Sequence, residues 1–265
     1  MPDSEPEPFD PQTYWAERLS AAYSLEGVGW YGLGEEFNRW MYAVRRHAFR
    51  RAVTGRVAGA TRVLDVGTGT GFYIDCWREL GVRDIVGSDL TSVAVERLRD
   101  SYPAVEFFQF DLTASTLPDL GTFDAISAMD VMFHIVDDDG YRRAVNNLAT
   151  LLKPGGFLVL TENFLHAGSG RGRHEVDRTI SEIDAMLHEV NLDLIYRRPV
   201  FVLMNTPIDS QSGLLQRTWT GINLLVRRGP LLAKVVGGLT YPLELALTRV
   251  VREGPSTEIA VCEKR

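Results

Sequence analysis

Apolar positions recur along the chain with two periods that divide it into helices and strands. From Glu35 onward, Phe37, Trp40, Met41, Val44 and Ala48 fall at helical spacing, and the other face carries Arg45, Arg46, Arg50 and Arg51. That pattern predicts a helix with one apolar side. Short apolar runs then take over: Arg62–Val66, Asp84–Asp89, Val105–Phe110, Phe123–Ala128 and Gly156–Thr161, each followed by a helical or loop segment. Strands alternating with helices predict a parallel sheet covered on both faces. A sixth strand is predicted within Leu192–Leu203. A helix from about Ile180 to Glu189 precedes it, and its start, Thr179-Ile-Ser-Glu182, has capping-box spacing. The last predicted strand is Glu258–Cys262.

About fifty residues separate the last two strands, far more than a sheet connection needs. Within them Leu214, Leu215, Trp219, Ile222, Leu225 and Val226 keep helical spacing, so a structured insertion is expected. Its apolar Leu231–Val251 segment is broken by Tyr241-Pro242. The preferred expectation is a roof over a pocket; a homodimer interface, or peripheral membrane or lipid contact through 229–251, stays open. No stretch of 18 residues is free of charge, so no spanning helix is expected. The chain thus reads as a tail without order at 1–12, an N-terminal helical lid at 13–56, a core formed by 57–203 with 256–265, and a helical cap at 204–255.

Composition narrows the classes. With 45% hydrophobic and 24% charged residues the chain is ordinary for a soluble domain. A net charge of -7 and a pI near 5.3 describe an acidic surface that repels a phosphate backbone, so nucleic acid is not expected as a partner. Cys76 and Cys262 lack metal or disulfide spacing, and MPDSEPEPFDP lacks the basic and apolar parts of a signal peptide, so a cytoplasmic location is expected.

The chemistry concentrates where three successive strands end in aspartate. Val63-Leu-Asp65-Val-Gly67-Thr68-Gly69-Thr-Gly71 is an apolar strand that breaks into a turn with glycine at alternate positions. Such a turn lets backbone lie against a ligand, and the amides opening the next helix favour an anionic group. The second strand ends at Asp89, about 20 residues beyond the turn, where a carboxylate can accept bonds from ribose hydroxyls. The third ends at Asp111, where a carboxylate can take an exocyclic amine. In an open parallel sheet all three belong to one crevice. The turn lacks the Gly-x-Gly-x-x-Gly of dinucleotide oxidoreductases, which disfavours that class.

Through VLDVGTGTG (63–71), Asp89, FDL (110–112), FDAISAMDVMFHI (123–135) and LLKPGGFLVL (151–160), the chain resembles the class I S-adenosylmethionine-dependent methyltransferases. The N- and C-terminal segments resemble small-molecule and sugar O-methyltransferases more loosely. The resemblance implies a Rossmann-like, doubly wound, mostly parallel seven-stranded sheet whose last strand is reversed, and S-adenosylmethionine as methyl donor, leaving S-adenosylhomocysteine. It also implies that the Gly67–Gly71 turn, with Asp65 and Thr68, holds the methionine moiety. Asp89 and Leu90 fall to the ribose side, Asp111 and Leu112 to adenine, and Met129 beside the cofactor. Tyr14, in a segment that related enzymes use as a lid, joins this set.

Methyl transfer from a sulfonium rests mainly on alignment. A hydroxyl acceptor must also lose a proton, and a neutral histidine suits that task. His134 is the first candidate base, with Asp130 assisting. Tyr31, His166 and Arg178 are candidate substrate contacts. No Asp, Glu or His cluster argues for a metal, so none is expected. The sequence therefore reads as an O-methyltransferase for a small-molecule acceptor such as a sugar or natural product. A lipid-linked, nitrogen or carbon acceptor, or a non-catalytic cofactor-binding protein of the same fold, remain alternatives. The Asn/Asp-Pro-Pro-aromatic signature of DNA amine methylation is replaced by Met129-Asp-Val-Met-Phe133.

Overall fold

Aliphatic and β-branched runs become the strands of one sheet in a computed structural model that describes residues 9–57 and 61–265. The chain begins with three helices, α1 (Pro11–Ala21), α2 (Leu25–Val28) and α3 (Gly34–Val53). Strands and helices then alternate: β1 (Arg62–Val66), α4 (Phe72–Glu79), β2 (Asp84–Asp89), α5 (Ser92–Ser101), β3 (Glu106–Gln109), β4 (Phe123–Ala128), α6 (Asp138–Leu151) and β5 (Leu152–Glu162). A small hairpin of β6 (Gly170–Arg171) and β7 (Val176–Asp177) leads to α7 (Ile180–Glu189) and β8 (Leu192–Pro199). Last come α8 (Gly213–Val226), α9 (Pro230–Val250) and β9 (Glu258–Lys264).

The seven-stranded sheet runs β3-β2-β1-β4-β5-β9-β8. β1 pairs in parallel with β2 and β4, whereas β9 lies antiparallel between β5 and β8. One face buries Phe37, Met41, Phe49 and Trp77 from α3 and α4, and the other buries Tyr141, Leu148 and Leu187 from α6 and α7. Strands apolar on both sides follow from that double cover. The resulting architecture is the mostly parallel α/β sheet expected from the chain's pattern, with the Rossmann-like order and reversed last strand that the resemblance implies.

Differences in element bounds have local causes. β3 is shorter than Val105–Phe110 because it is an edge strand, paired only with β2. β5 starts at Leu152 instead of Gly156, since Leu152 pairs with Phe123 across a register shift. β9 continues past Cys262 to Lys264 because partners flank it on both sides. Thr179 and Glu182 form the capping box at the start of α7. Of the tail expected at 1–12, residues 1–8 lie outside the described residues. Order begins sooner than expected: Asp10 accepts bonds from the Gln12 and Thr13 amides, and α1 starts at Pro11.

The insertion before the last strand is helical but does not roof the crevice at the strand ends; among the described residues, none from 204–255 lines it. Its packing draws it elsewhere. A side chain at Gly237 would place its Cβ 2.2 Å from Cδ1 of Trp40, so α9 meets α3 at a distance only glycine permits. Trp219 of α8 packs on Trp30 at 5.4 Å between ring centroids. Glu244, buried on α9, accepts from the amides of Val202, Leu203 and Met204 just after β8. Burial pushes its pKa up to about 7, with the three amides pulling the other way. Gly237→Val should force α9 off Trp40 and lower unfolding free energy by about 1–3 kcal/mol in chemical denaturation. An unchanged midpoint would contradict this packing.

Candidate active site

The strand order reverses direction between β1 and β4, which opens a crevice at the carboxyl ends of the central strands. The glycine turn forms one wall of a cavity of about 290 Å³. Gly67 has φ +67°, and a Cβ there would lie 2.3 Å from Val131 Cγ2. The turn therefore needs glycine both for its conformation and for its approach to the loop after β4. The Thr68 hydroxyl donates to the Asp65 carbonyl at 2.9 Å and accepts from the Ser88 amide at 3.1 Å, tying β1 to β2.

Asp89 is buried and lines the cavity. Its Oδ2 accepts from the Gly69 amide at 2.9 Å, and its Oδ1 accepts from both the amide and the hydroxyl of Thr91. Burial pushes its pKa up and these donors pull it back. Three of about four acceptor positions are thus filled, which leaves room for a ligand hydroxyl on Oδ2. Leu90 and Leu112 line the same wall. Asp111 is exposed; its Oδ1 accepts from the Thr113 amide and hydroxyl, and Oδ2 is left for a ligand. Asp65 and Gly71 stand behind the wall instead of lining it. Asp65 receives the Ser127 hydroxyl, its second oxygen is buried without a partner, and burial pushes its pKa up to about 7.

Met129, Asp130 and His134 form the opposite wall. Asp130 adopts φ +57° and is gripped by Arg45: Nε to Oδ2 at 2.7 Å and Nη2 to Oδ1 at 3.1 Å. The Thr161 hydroxyl donates to Oδ1 as well. The guanidinium and the Thr161 hydroxyl thus hold both oxygens of Asp130, which lines the cavity with His134. His134 is half-buried, and its Nδ1 lies 2.9 Å from the His174 carbonyl. A carbonyl can only accept, so Nδ1 carries the hydrogen and Nε2 keeps its lone pair. Burial lowers the His134 pKa to about 4, against the opposing pull of the His174 carbonyl and the Asp130 charge.

Four expected contacts lie elsewhere. Tyr14 stacks on His174 at 5.4 Å and accepts from Arg18; on α1 the residues facing the cavity are Pro11, Trp15 and Leu19, four apart. Tyr31 is 65% exposed, with the Arg18 guanidinium over its ring. His166 bridges Asp209 and Glu253, and the Asp209 hydrogen bond raises its pKa. Arg178 is buried over the Tyr141 ring, donating to the Ile135 carbonyl and to Asp138. It shapes the Ile135–Asp137 loop that lines the cavity, and so acts behind the site. Conversely, Tyr42 and Tyr73 line the cavity without having been singled out as site residues, and Trp15, the aromatic next to Tyr14 in the expected lid segment, lines it too. Trp15 meets the His134 ring edge-on at 4.9 Å, and the Tyr73 hydroxyl is buried without a partner. For Arg45 the signal existed: it follows Met41 by one turn, inside the apolar stripe of α3.

These residues fit S-adenosylmethionine, which presents an amino-acid head, a ribose diol and an adenine amine. The glycine turn makes a cradle that a Cβ would fill, Asp89 and Asp111 keep free acceptor positions, and the Tyr73 hydroxyl lacks a partner. Residues 63–156 match the family model described as a methyltransferase domain. The chain is 31% identical over 164 residues to a ubiquinone biosynthesis O-methyltransferase of Albidiferax ferrireducens, spanning 54% of this chain and 63% of that one. Against the same-named protein of Xanthomonas campestris pv. campestris the identity is 37% over 117 residues, 46% of its length. The chain thus spans less than two thirds of these curated relatives. Among solved structures it resembles magnesium protoporphyrin IX methyltransferase from Synechocystis PCC 6803, with TM-score 0.57 and 13% identity over 98% of this chain and 100% of that one. That likeness speaks to the fold alone. Residues 63–156 thus match a methyltransferase domain, and the reversed β9 and the crevice at the strand ends agree with that match.

Proposed function

We propose that this protein transfers a methyl group from S-adenosylmethionine to a hydroxyl of a small-molecule acceptor such as a sugar or natural product. The observation that carries the reading is His134, a half-buried neutral imidazole with Nε2 free, in the wall of the cavity that also contains the glycine turn and Asp89. The O-methyltransferase names of the relatives support a hydroxyl acceptor.

When bound, S-adenosylmethionine supplies an electrophilic methyl on a sulfonium. The Gly67–Gly71 turn, Asp89 and Asp111 would hold it, with the Asp89 carboxylate accepting from the ribose and Asp111 from the adenine amine. Good alignment alone supplies about 7–11 kcal/mol toward such a displacement. The acceptor oxygen becomes strongly acidic as its new bond to carbon forms, so a weak base suffices. His134 takes that proton on Nε2, while Nδ1–H stays on the His174 carbonyl and the Asp130 charge favours the imidazolium. Trp15, Leu19 and Val28, from α1 and α2, keep water from the reacting face.

Asp89→Ala should weaken S-adenosylmethionine binding by on the order of 10–10²-fold in titration calorimetry, since a hydrogen bond to a charged acceptor is lost. Normal binding would show the site to be elsewhere. His134→Ala should leave that affinity within about twofold and lower kcat by roughly 10²–10⁴-fold. The pH profile carries the sign of the base. Because burial holds the His134 pKa near 4, it stays neutral and competent from alkaline pH down to about 5, and activity falls as pH drops toward 4. A rate that climbs through pH 6–7 would assign the proton to another group.

A further inference from the structure

The outward sides of α8 and α9 carry residues that protein interiors normally hold. Leu231 is 74% exposed, Leu239 73% and Val250 80%, and Leu214, Leu224, Val235 and Leu243 are exposed beside them. On α9 these positions lie opposite Ala233, Gly237, Glu244 and Thr248, the side buried toward α3 and the segment after β8. The helix is therefore apolar on both sides, and the outer stripe is about 30 Å long. Monomeric proteins rarely leave so continuous a patch uncovered.

Charge identifies what covers it. Between Ser212 and Arg252 the exposed ionisable residues are Arg217, Arg227, Arg228, Lys234, Arg249 and Arg252. The acid in this stretch, Glu244, is buried on backbone amides, and Glu253, just beyond it, is tied to Arg197 and His166. In a chain of net charge -7 this is a local reversal of sign. We propose that the α8–α9 pair docks in plane on an anionic lipid surface, its leucines entering the acyl boundary and its arginines and lysine meeting phosphate headgroups.

A second copy of the chain is a poorer occupant. A two-fold interface sets one patch against itself, which would bring the same cations face to face. Spanning is also disfavoured, although α9 has 21 residues and a mean hydropathy of 1.2 over its best window, enough to cross a membrane by length and composition. Crossing would strip Glu244 from the amides of Val202, Leu203 and Met204 and pull Gly237 off Trp40. Lying on the surface keeps both contacts. The inference does not depend on methyl transfer, since it rests on a face remote from the cavity walls.

Co-sedimentation with vesicles tests it, using phosphatidylcholine alone and phosphatidylcholine mixed with phosphatidylglycerol. The full chain should pellet with the anionic vesicles, remain in solution with the neutral ones, and be released by added salt. Leu239→Glu combined with Leu243→Glu should lower the partition coefficient by roughly tenfold or more. Arg227→Glu with Arg228→Glu should act in the same direction. All four positions are exposed, so circular dichroism and S-adenosylmethionine affinity should stay unchanged in both variants. The proposal is overturned if the wild type remains in solution with both vesicles or pellets equally with both. It is equally overturned if light scattering shows a dimer that the leucine variant dissociates, which would assign the face to a second copy.

Discussion

One largely buried ion pair brings the parts of the site into a single geometry. The Arg45 guanidinium, from a helix outside the sheet, grips both oxygens of Asp130, the second residue after β4. The same guanidinium lies 5.3 Å from the Tyr42 ring centroid and 4.8 Å from that of Phe201, so α3, the end of β4 and the segment after β8 converge on it. Burial works against its charge, yet Asp130 holds Arg45 firmly protonated. Such a pair is weak evidence of net stability, but removing one partner would strand the other charge, at a cost of about 3–5 kcal/mol. Its consequence here is positional. Asp130 is kept at a positive φ uncommon for aspartate, with Thr161 bonded to both its amide and its carboxylate, and the chain then turns so that His134 faces back into the cavity.

The N-terminal helices depend on this anchor. Arg45 fixes α3; Tyr23, between α1 and α2, donates to the Gly69 carbonyl, and Trp15 closes on His134. Architecture alone does not assign the reaction. The assignment has to come from the side chains in the crevice.

The central strands and the three aspartates were legible because each rests on local pattern: apolar runs of fixed length, glycine at alternate positions, a carboxylate at each strand end. Tertiary contacts were less legible. Gly237 reads as a flaw in a helix until Trp40 is found against it. Arg45 reads as part of a solvated basic face until its place in the stripe with Phe37, Met41 and Val44 is counted. Tyr31 and His166 sit in segments without periodicity, so nothing in the sequence fixed their direction. Tyr14 and Trp15 differ by one residue, about 100° on a helix, and only the docking of α1 decides which of them faces the cavity.

The central claim is that one crevice holds the cofactor and the proton acceptor together. A crystal structure with S-adenosylhomocysteine tests it most directly. The account predicts the homocysteine on the Gly67–Gly71 turn, a ribose hydroxyl on Asp89 Oδ2, the adenine beside Asp111 and Leu112, and the sulfur facing the wall formed by Met129 and His134. Density for the ligand outside this cavity, or a sulfur turned away from His134, would contradict it.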